Sequence, residues 1–290
     1  MKEKKKSISA LLVLTMLLCA APTAFAEGSA PIAENLELRT YRNVSVGGRL
    51  TAFDAEDDVV QYTITTEPVK GSVELDESGC FVYTPKENKR GRDYFGYKAV
   101  DSEGKLSQEA TVIIRIEKQK SAVCYSDLQG EACAYAATTL SEHGIYTGET
   151  IGTSRCFCPQ ESVTRGEFLA MCMALTGRAP MRAVANSGYA DDALIPAWAR
   201  AYAATARMAG LAPESESLHA EEAISTDEAA AYLSRALMLR DVRYLPAEEG
   251  TSQASRNLRA YGLPVSLSSK ILNRAEAAEM LAAALDFLEK

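Results

Sequence analysis

The sequence predicts two domains of different class, an all-β sandwich followed by an all-α bundle of helical hairpins. Two observations predict this order. Before about residue 118, β-branched and aromatic residues alternate with polar ones, and turn-forming residues separate the alternating stretches. After that point Ala, Leu and Met recur at helical spacing, and a pattern of helix starts and stops repeats along the chain.

Residues 1–26 have the order of a secretory signal peptide. Lysines precede an uncharged, mainly apolar run from Ile8 to Ala20, and Ala24-Phe25-Ala26 forms a small-x-small cleavage site. The apolar run is too short to span a bilayer. Leu18 stands before Cys19 where lipid attachment requires a small residue, so lipidation is not expected. We predict an exported chain with no membrane insertion after cleavage.

Residues 27–118 predict the sandwich, and residues 119–121 predict the linker that follows it. Alternation places Tyr62 and Ile64 on one face of a strand, and Val73 and Leu75 on one face of the next. Turn-forming residues at 76–79 and 101–104 separate the later strands. Near-regular spacing of short strands favours an antiparallel sandwich. The predicted strands cover residues 61–65, 71–75, 81–84, 94–100 and 111–116.

Four segments in this half resemble bacterial cadherin-like or immunoglobulin-like (Ig-like) repeats of surface proteins. They are Gly48 to Asp54, Pro68 to Val73, Phe81 to Pro85 and Gly91 to Tyr97, and residues 101–104 and 110–112 continue the pattern. The resemblance covers about residues 30 to 118. Because its motifs are mostly turns and core positions, it implies a fold more than a function.

Acidic residues cluster at the strand ends of this domain. We interpret the cluster as a solvated acidic turn, and calcium binding is the alternative because calcium prefers oxygen ligands of this kind. A single domain lacks the neighbour that usually completes an inter-domain calcium site in cadherin-like arrays. No other metal site and no cofactor are expected. The cluster consists of Asp54, Glu56, Asp57, Asp58 and Asp101.

The second half contains three related units, at residues 122–180, 186–241 and 250–290. In each unit a first helix is predicted to end at a glycine that can adopt a left-handed conformation. These glycines are Gly144, Gly210 and Gly262. The third unit lacks the aromatic-x-Asp start that the first two share, and most of the loop.

A second helix begins in each unit at a predicted capping box, in which a side chain at the N-cap and a glutamate three residues later exchange hydrogen bonds. The pairs are Thr164 with Glu167, Ser225 with Glu228, and Asn273 with Glu276. Apolar stripes behind the caps predict the buried faces. The stripes are Phe168, Met171, Cys172 and Leu175; Ala229, Leu233, Ala236 and Leu237; and Ala277, Met280, Leu281 and Leu285.

Trp198 is the one tryptophan of the chain, and it shares a predicted helix face with Tyr202, Thr205 and Ala209. Two interpretations stand: a core anchor, or an aromatic wall of a sugar site.

The cysteines leave alternatives open as well. Cys133 and Cys172 lie on neighbouring predicted helices and could form a disulfide, although sequence cannot establish connectivity. Another set, Cys156 and Cys158 near His143, matches no standard zinc spacing.

The repeat pattern resembles the S-layer homology family, whose unit has an aromatic-x-Asp start, a helix ending in Gly-aliphatic, and a Thr-Arg-Ala-Glu helix start. The resemblance covers about residues 122 to 290 and is strongest in the first unit. It implies a pseudo-threefold bundle of three units. It also implies binding of secondary cell-wall polysaccharide, often with pyruvylated sugars, in the grooves between units, and hence a secreted protein of the cell wall or S-layer surface.

This resemblance implies a set of polysaccharide-binding residues. Arg165 and Arg274 at helix N-termini are expected to pair with the pyruvate carboxylate, because a guanidinium binds a carboxylate bidentately and the helix end adds positive potential. Asp127 and Asp191 are expected to position loops or to hydrogen-bond sugar hydroxyls. The same predicted site includes Glu167 and Trp198. Thr226 replaces the arginine in the second unit, which predicts a groove without its cation.

Composition limits the partners. The net charge of −8 and the lack of a basic cluster argue against nucleic acid and anionic lipid. With two histidines and no recognisable phosphate loop, metal motif or nucleophile elbow, an enzyme is not expected. We therefore predict non-covalent anchoring to the cell wall, with the first domain as spacer or displayed module. The alternative is a secreted adhesin or assembly subunit, in which the first domain binds a protein or glycan and the repeats are scaffold.

Overall fold

A computed structural model describes residues 28–212, 215–246 and 250–289. The predicted signal peptide lies outside the described residues. A β-rich first half and a helical second half are both present, as the sequence predicts. Within the described ranges, no helix is long and apolar enough to cross a membrane.

The strands of the first half are β1 (Ile32–Ala33), β2 (Leu36–Tyr41), β3 (Val46–Arg49), β4 (Ala52–Phe53), β5 (Val59–Thr66), β6 (Gly71–Leu75), β7 (Cys80–Pro85), β8 (Gly91–Asp101) and β9 (Ala110–Glu117). They form two packed sheets and a short antiparallel pair of β1 with β4. One sheet has the strand order β2-β9-β8-β5, and the other has the order β3-β7-β6. Alternating residues of both sheets meet in one core, where Phe81 and Phe95 pack edge to face with ring centroids 5.2 Å apart.

One pairing differs from the predicted antiparallel sandwich, because β2 and β9 are parallel, with Leu36 opposite Val112. The chain leaves β2 for the other sheet, where β3 pairs with β7, instead of turning back as a hairpin. No tight turn therefore dictates the direction of β2, and it can join the edge of β9 in parallel.

The second half contains six α-helices, one short 3₁₀ helix at Asp192–Leu194 and one small hairpin in its described residues. The hairpin, β10 (Glu149–Ile151) with β11 (Ser154–Cys156), lies in the loop of the first unit. The second helix of each unit carries the predicted apolar stripe, and all twelve stripe residues are buried. The helices are α1 (Ala134–Glu142), α2 (Arg165–Leu175), α3 (Ala197–Met208), α4 (Thr226–Arg240), α5 (Thr251–Ala260) and α6 (Arg274–Glu289).

The main helix contacts join different units, which differs from the hairpin packing that the sequence predicts. Helix α1 packs mainly against α6, α2 against α3, and α4 against α5. The second helix of one unit thus pairs with the first helix of the next, and α1 with α6 closes the set. Helices α2, α4 and α6 also contact one another and form the inner layer. The loop between the two helices of each unit is long enough to allow this exchange.

Three backbone hydrogen bonds tie the inner helices together where they begin. Val163 donates to Leu272 over 3.0 Å, Leu272 donates to Ile224 over 3.0 Å, and Ile224 donates to Val163 over 2.9 Å. Each residue lies directly before an N-cap and is at most 1% exposed. The three bonds form a closed triangle, which we call the central triangle. It places the N-termini of α2, α4 and α6 side by side.

Helix α3 buries a different face from the predicted one. Its buried residues include Ala199, Ala203 and Ala206, whereas Trp198 is 51% exposed and Tyr202 is half-buried. Small side chains on the buried face allow α3 to approach α2 closely, and this outweighs the larger apolar area of the aromatic face. The interpretation of Trp198 as a core anchor is therefore wrong, because half of its side chain is exposed.

The cysteine pair that sequence allowed is not joined by a disulfide. Cys133 and Cys172 are both buried free thiols, and the other cysteines of the described residues are free as well. Burial raises the pKa of the Cys133 thiol to about 12. Burial raises the pKa of Cys172 further, so both side chains act as small apolar core residues.

The two halves dock through the edge strand β3. The backbone N–H of Gly47 donates to the carbonyl of Ala132 over 3.0 Å, and the hydroxyl of Ser45 donates to the carbonyl of Glu131 over 2.7 Å. The rings of Tyr41 and Tyr135 lie beside this contact, with centroids 5.5 Å apart. The helical half thereby covers a sheet edge that would otherwise expose unpaired backbone groups.

Replacing Gly47 with Ala should loosen this docking. A Cβ at Gly47 would lie 2.7 Å from the Cβ of Ala132 and 3.2 Å from its Cα, so one backbone must move. We expect a loss of about 1–3 kcal/mol in the free energy of unfolding, measured by urea titration. Gly28→Ala is the control, since its nearest neighbour would be 3.5 Å away. Equal stability of the two variants would contradict the docking described here.

Candidate ligand-binding site

The N-termini of the three inner helices form the candidate site, and capping boxes build each of them. In α2 the hydroxyl of Thr164 accepts from Glu167 N, and the carboxylate of Glu167 accepts from Thr164 N over 2.9 Å. Helix α4 repeats the arrangement with Ser225 and Glu228. At α6 the amide oxygen of Asn273 accepts from Glu276 N over 2.9 Å, and Asn273 N donates to Glu276 over 3.4 Å.

The predicted C-terminal glycines of the first helices adopt the left-handed conformation. Gly144, Gly210 and Gly262 have φ of 67°, 70° and 80°. Each glycine turns the chain from its helix into the loop that returns to the central triangle, because only a residue without Cβ adopts this conformation without strain. The loop of one unit then meets the inner helix of another, since Arg165 N bonds Glu222 O and Arg274 N bonds Glu161 O, both over 2.9 Å. Each groove is therefore bounded by an inner helix and the loop of a different unit.

Arg165 lies in the groove between α2 and α4. Its Nε and Nη2 donate to one oxygen of Glu228 over 3.0 and 2.9 Å, and its Nη1 donates to Glu222 over 2.9 Å. The Arg165 side chain is 19% exposed, whereas that of Glu222 is 63% exposed. Burial opposes ionisation of Glu228, but hydrogen bonds from Ser225 and the pairing with Arg165 outweigh it, so the pKa of Glu228 lies below its ordinary value.

Arg274 occupies the equivalent position between α6 and α2, and it is 5% exposed. Its Nη1 lies 2.9 Å from Glu161, and its Nη2 contacts Glu149 and lies 3.7 Å from Glu167. The guanidinium stacks over the ring of Tyr146, 5.6 Å from the centroid. Its Nε is buried and has no hydrogen-bond partner. Both predicted arginines thus face grooves between units, and both are already paired with carboxylates.

The third groove contains a cation that the sequence comparison of units missed. Thr226 stands at the arginine position, as predicted, and its hydroxyl donates to the carbonyl of Lys270 over 3.0 Å. The ammonium of Lys270 pairs with the capping residue Glu276. Lys270 comes four residues before the start of α6, where the other units have Glu161 and Glu222. The prediction of a groove without a cation is therefore wrong.

The two aspartates of the shared aromatic-x-Asp starts position loops. The Asp127 carboxylate accepts from Phe157 N over 3.0 Å and from Cys158 N over 2.7 Å. The Asp191 carboxylate accepts from Leu218 N over 2.9 Å and from His219 N over 2.7 Å. Burial opposes ionisation of Asp191, but these two backbone donors outweigh it and lower its pKa. The equivalent bonds explain how Cys158 and His219 are held at φ of 57° and 53° without being glycine.

The acidic cluster of the first domain is only partly solvated. Asp54 is 7% exposed and Asp101 is 3% exposed, so the interpretation as a solvated turn is wrong for these two residues. One carboxylate oxygen each from Asp54, Asp58 and Asp101 lies within 4.8 Å of the others. Desolvation raises the pKa of Asp54, and its Oδ2 is buried without a hydrogen-bond partner. Three converging carboxylates with an unsatisfied oxygen fit a calcium ion.

Comparison with known proteins supports the first half of this description. Residues 28–118 match the bacterial cadherin-like domain family, which confirms the predicted cadherin-like, Ig-like domain. No curated protein matches the chain.

Solved structures resemble about a third of the chain. They include an endo-fucoidan hydrolase of glycoside hydrolase family 107, with 16% identity, a TM-score of 0.26, and coverage of 33% of this chain and 14% of the hydrolase. The SrpA adhesin from Streptococcus sanguinis has 15% identity, a TM-score of 0.26 and coverage of 34% and 66%. A SusE-like surface-located polysaccharide-binding protein from Bacteroides thetaiotaomicron has 15% identity, a TM-score of 0.24 and coverage of 30% and 14%. The chain thus spans less than two thirds of each of these proteins.

Calcium should stabilise the protein through the acidic trio. We expect millimolar calcium to raise the melting temperature, because binding to the folded state alone shifts unfolding and extracellular calcium sites bind at about 10⁻⁴–10⁻³ M. Asp54→Asn should abolish the shift in a thermal unfolding assay. Asp57→Asn is the matched control, since Asp57 is exposed and lies outside the trio. A calcium shift that survives Asp54→Asn, or no shift in the wild type, would contradict the assignment.

Proposed function

We propose that the helical half attaches an exported protein non-covalently to the cell wall by binding an acidic secondary wall polysaccharide. The sandwich then serves as a spacer or a displayed binding module. One observation carries the proposal: each of the three grooves between units contains a cation, Arg165, Lys270 or Arg274, beside the N-terminus of an inner helix. The sequence motifs of the helical half also resemble those of the S-layer homology family, whose members bind such polysaccharides.

The loop glutamates define how a sugar carboxylate would enter. Arg165 and Arg274 each use Nη1 for a loop residue, Glu222 or Glu161, whose side chains are 63% and 58% exposed. The other contacts of the two guanidinium groups include the capping residues Glu228 and Glu167, which are 34% and 27% exposed. A pyruvate carboxylate would replace the exposed loop glutamate, while the capping glutamate keeps the guanidinium in place.

Lys270 would supply the same chemistry in the third groove. It lines a cavity of about 180 Å³ together with Thr226, Ser266 and Glu276. An ammonium group binds an anion as a point charge and without the bidentate geometry of arginine. We therefore infer that this groove accepts a more varied set of anionic groups than the other two. Three grooves on one rigid ring would add avidity for a repeating polymer, so each groove can be weak by itself.

The remaining parts of the proposal follow from the same sequence features. The predicted signal peptide places the protein outside the cell, where the wall polysaccharide is accessible. Binding needs no catalytic group, and we infer that the chain is not an enzyme. The carboxylates of Asp127 and Asp191 accept hydrogen bonds from loop backbone, and we infer a positioning role for both. The exposed ring of Trp198 remains available as an aromatic surface for a sugar.

Wall binding is tested by pelleting the protein with purified sacculi, before and after chemical removal of secondary polysaccharide. We expect pelleting only with untreated sacculi. Arg165→Ala combined with Arg274→Ala should reduce the bound fraction about tenfold or more, because a charge-assisted bidentate contact is lost in two grooves. Arg256→Ala with Arg259→Ala is the control, since both residues are exposed on α5. Circular dichroism confirms that each variant is folded.

Absence of pelleting with both preparations would rule out wall anchoring and favour the adhesin or assembly alternative.

A second pair of substitutions tests the role of the loop glutamates. Glu161→Gln with Glu222→Gln should raise affinity several-fold, because each arginine then loses a competing carboxylate. The control Glu221→Gln removes an exposed carboxylate that forms no ion pair in the described part of the chain. Reduced binding by the double glutamine variant would contradict the replacement mechanism.

A further inference from the structure

A cleft of about 910 Å³ lies between the sandwich and the helical half. One wall comes from the segments before β3 and after β7, including Asn43 and Val44. The other comes from the linker and the start of the first helical unit, including Val123 and Gln129. Clefts between domains are common locations of ligand sites, and this volume falls in the range of such sites.

The charge of the cleft is opposite to that of the chain. Its lining contains Arg42, Lys118 and Lys120 and one acidic residue, Glu87, so its formal charge is +3 − 1 = +2. The whole chain carries −8. None of the three cations forms an ion pair with any carboxylate of residues 28–212, 215–246 or 250–289. All three are exposed, and the carboxylate that acts electrostatically on Lys120 is Glu142, which does not line the cleft.

The rest of the lining suits a sugar chain. Gln129 and Ser126 offer donors and acceptors at the surface, and half-buried Val44 and Val123 provide apolar area. A peptide would more readily add to a sheet edge, but the backbone of β3 beside the cleft is already bonded, through Gly47 N, to Ala132 O. These features favour a glycan over an extended peptide as the occupant.

The cleft is held open by fixed contacts on both sides. The Glu142 carboxylate accepts from Lys120 N over 2.7 Å and from Ser121 N over 2.8 Å, which fixes the linker against α1. Ser45 bonds the carbonyl of Glu131 from the sandwich side. A ligand would therefore meet a preformed site and would not have to order the linker, which lowers the entropic cost of binding.

We propose that this interdomain cleft is a second binding site, which takes an acidic glycan segment bearing carboxylate or phosphate groups. It shares no side chain with the grooves around the central triangle and is separate from the proposed wall site. Arg42, Lys118 and Lys120 bind the anionic groups, and the valines contact the sugar ring. The site requires both domains, so neither half alone contains it.

Cys124 lines the cleft and is exposed. A fluorophore attached there reports on the cleft and not on the grooves around the central triangle. Cys19, Cys80, Cys156 and Cys158 are replaced by Ser, and the full-length protein is labelled with a small environment-sensitive fluorophore at Cys124. The buried thiols Cys133 and Cys172 stay unlabelled because burial keeps them protonated and inaccessible. Probes are oligogalacturonate for carboxylate, a glycerol-phosphate oligomer for phosphate, and a neutral maltooligosaccharide of similar length.

We expect saturable fluorescence changes with at least one acidic probe and none with the neutral one. Response to one acidic probe alone identifies the charged group, and response to both assigns the shared anionic chemistry. Lys118→Glu with Lys120→Glu should weaken binding about tenfold or more, whereas Arg256→Glu with Arg259→Glu should change it less than about twofold. Raising salt from about 0.05 M to 0.5 M should also weaken it.

Three results would overturn the proposal: no response to either acidic probe, an equal response to the neutral probe, or unchanged affinity in the charge-reversed variant. If the two sites are separate, the double variant Arg165→Ala with Arg274→Ala loses wall pelleting but keeps the fluorescence response of the cleft. The two proposals therefore fail independently. An unfolded charge-reversed variant would be detected by circular dichroism, and Lys118→Gln with Lys120→Gln then replaces it as the test.

Discussion

The central triangle of backbone hydrogen bonds is the constraint on which the helical half depends. Val163, Ile224 and Leu272 each donate to one neighbour and accept from the other, at 0–1% exposure. A buried backbone N–H or C=O without a partner is costly, and no unit can leave the triangle without breaking two buried hydrogen bonds. The three capping boxes follow directly after the triangle in sequence, and the closure of the ring therefore determines where every groove cation stands.

The groove cations have a structural role that is compatible with the proposed ligand binding. Arg165 links the start of α2 to the capping glutamate of α4, and Arg274 links the start of α6 to that of α2. Removing one partner of such a buried pair leaves an uncompensated charge, which is more costly than the pair is stabilising. The exposed loop glutamates are different, because water can replace their contact at small cost. Exchange of a ligand carboxylate for a loop glutamate would therefore leave the ring intact.

Local signals predicted most of the secondary structure and the groove positions, and long-range packing accounts for what they missed. Capping boxes and helix-ending glycines depend on hydrogen bonds within a few residues, so Glu228 and Gly210 were identified from sequence. Exchange of helix partners between units depends on loop geometry that no short pattern encodes. The sequence allows Trp198 to be a core anchor or an exposed aromatic wall, and only the close packing of alanines on the opposite face of α3 decides against the core. Lys270 could have been found by aligning the three units, since its charge is opposite to that of Glu161 and Glu222.

An acidic protein can recognise an acidic polymer because the two charges act over different distances. At physiological ionic strength the Debye length is about 8 Å, so most of the −8 chain charge is screened from a sugar that has entered a groove or cleft. In the cleft the lining cations outnumber the one carboxylate, and in the grooves an entering carboxylate would replace a loop glutamate beside the arginine. Outside, the overall negative charge disfavours polyanions such as nucleic acid that cannot place a single anionic group in a narrow groove. Selectivity would then come from shape and local charge together, with the acidic surface acting against the wrong partners.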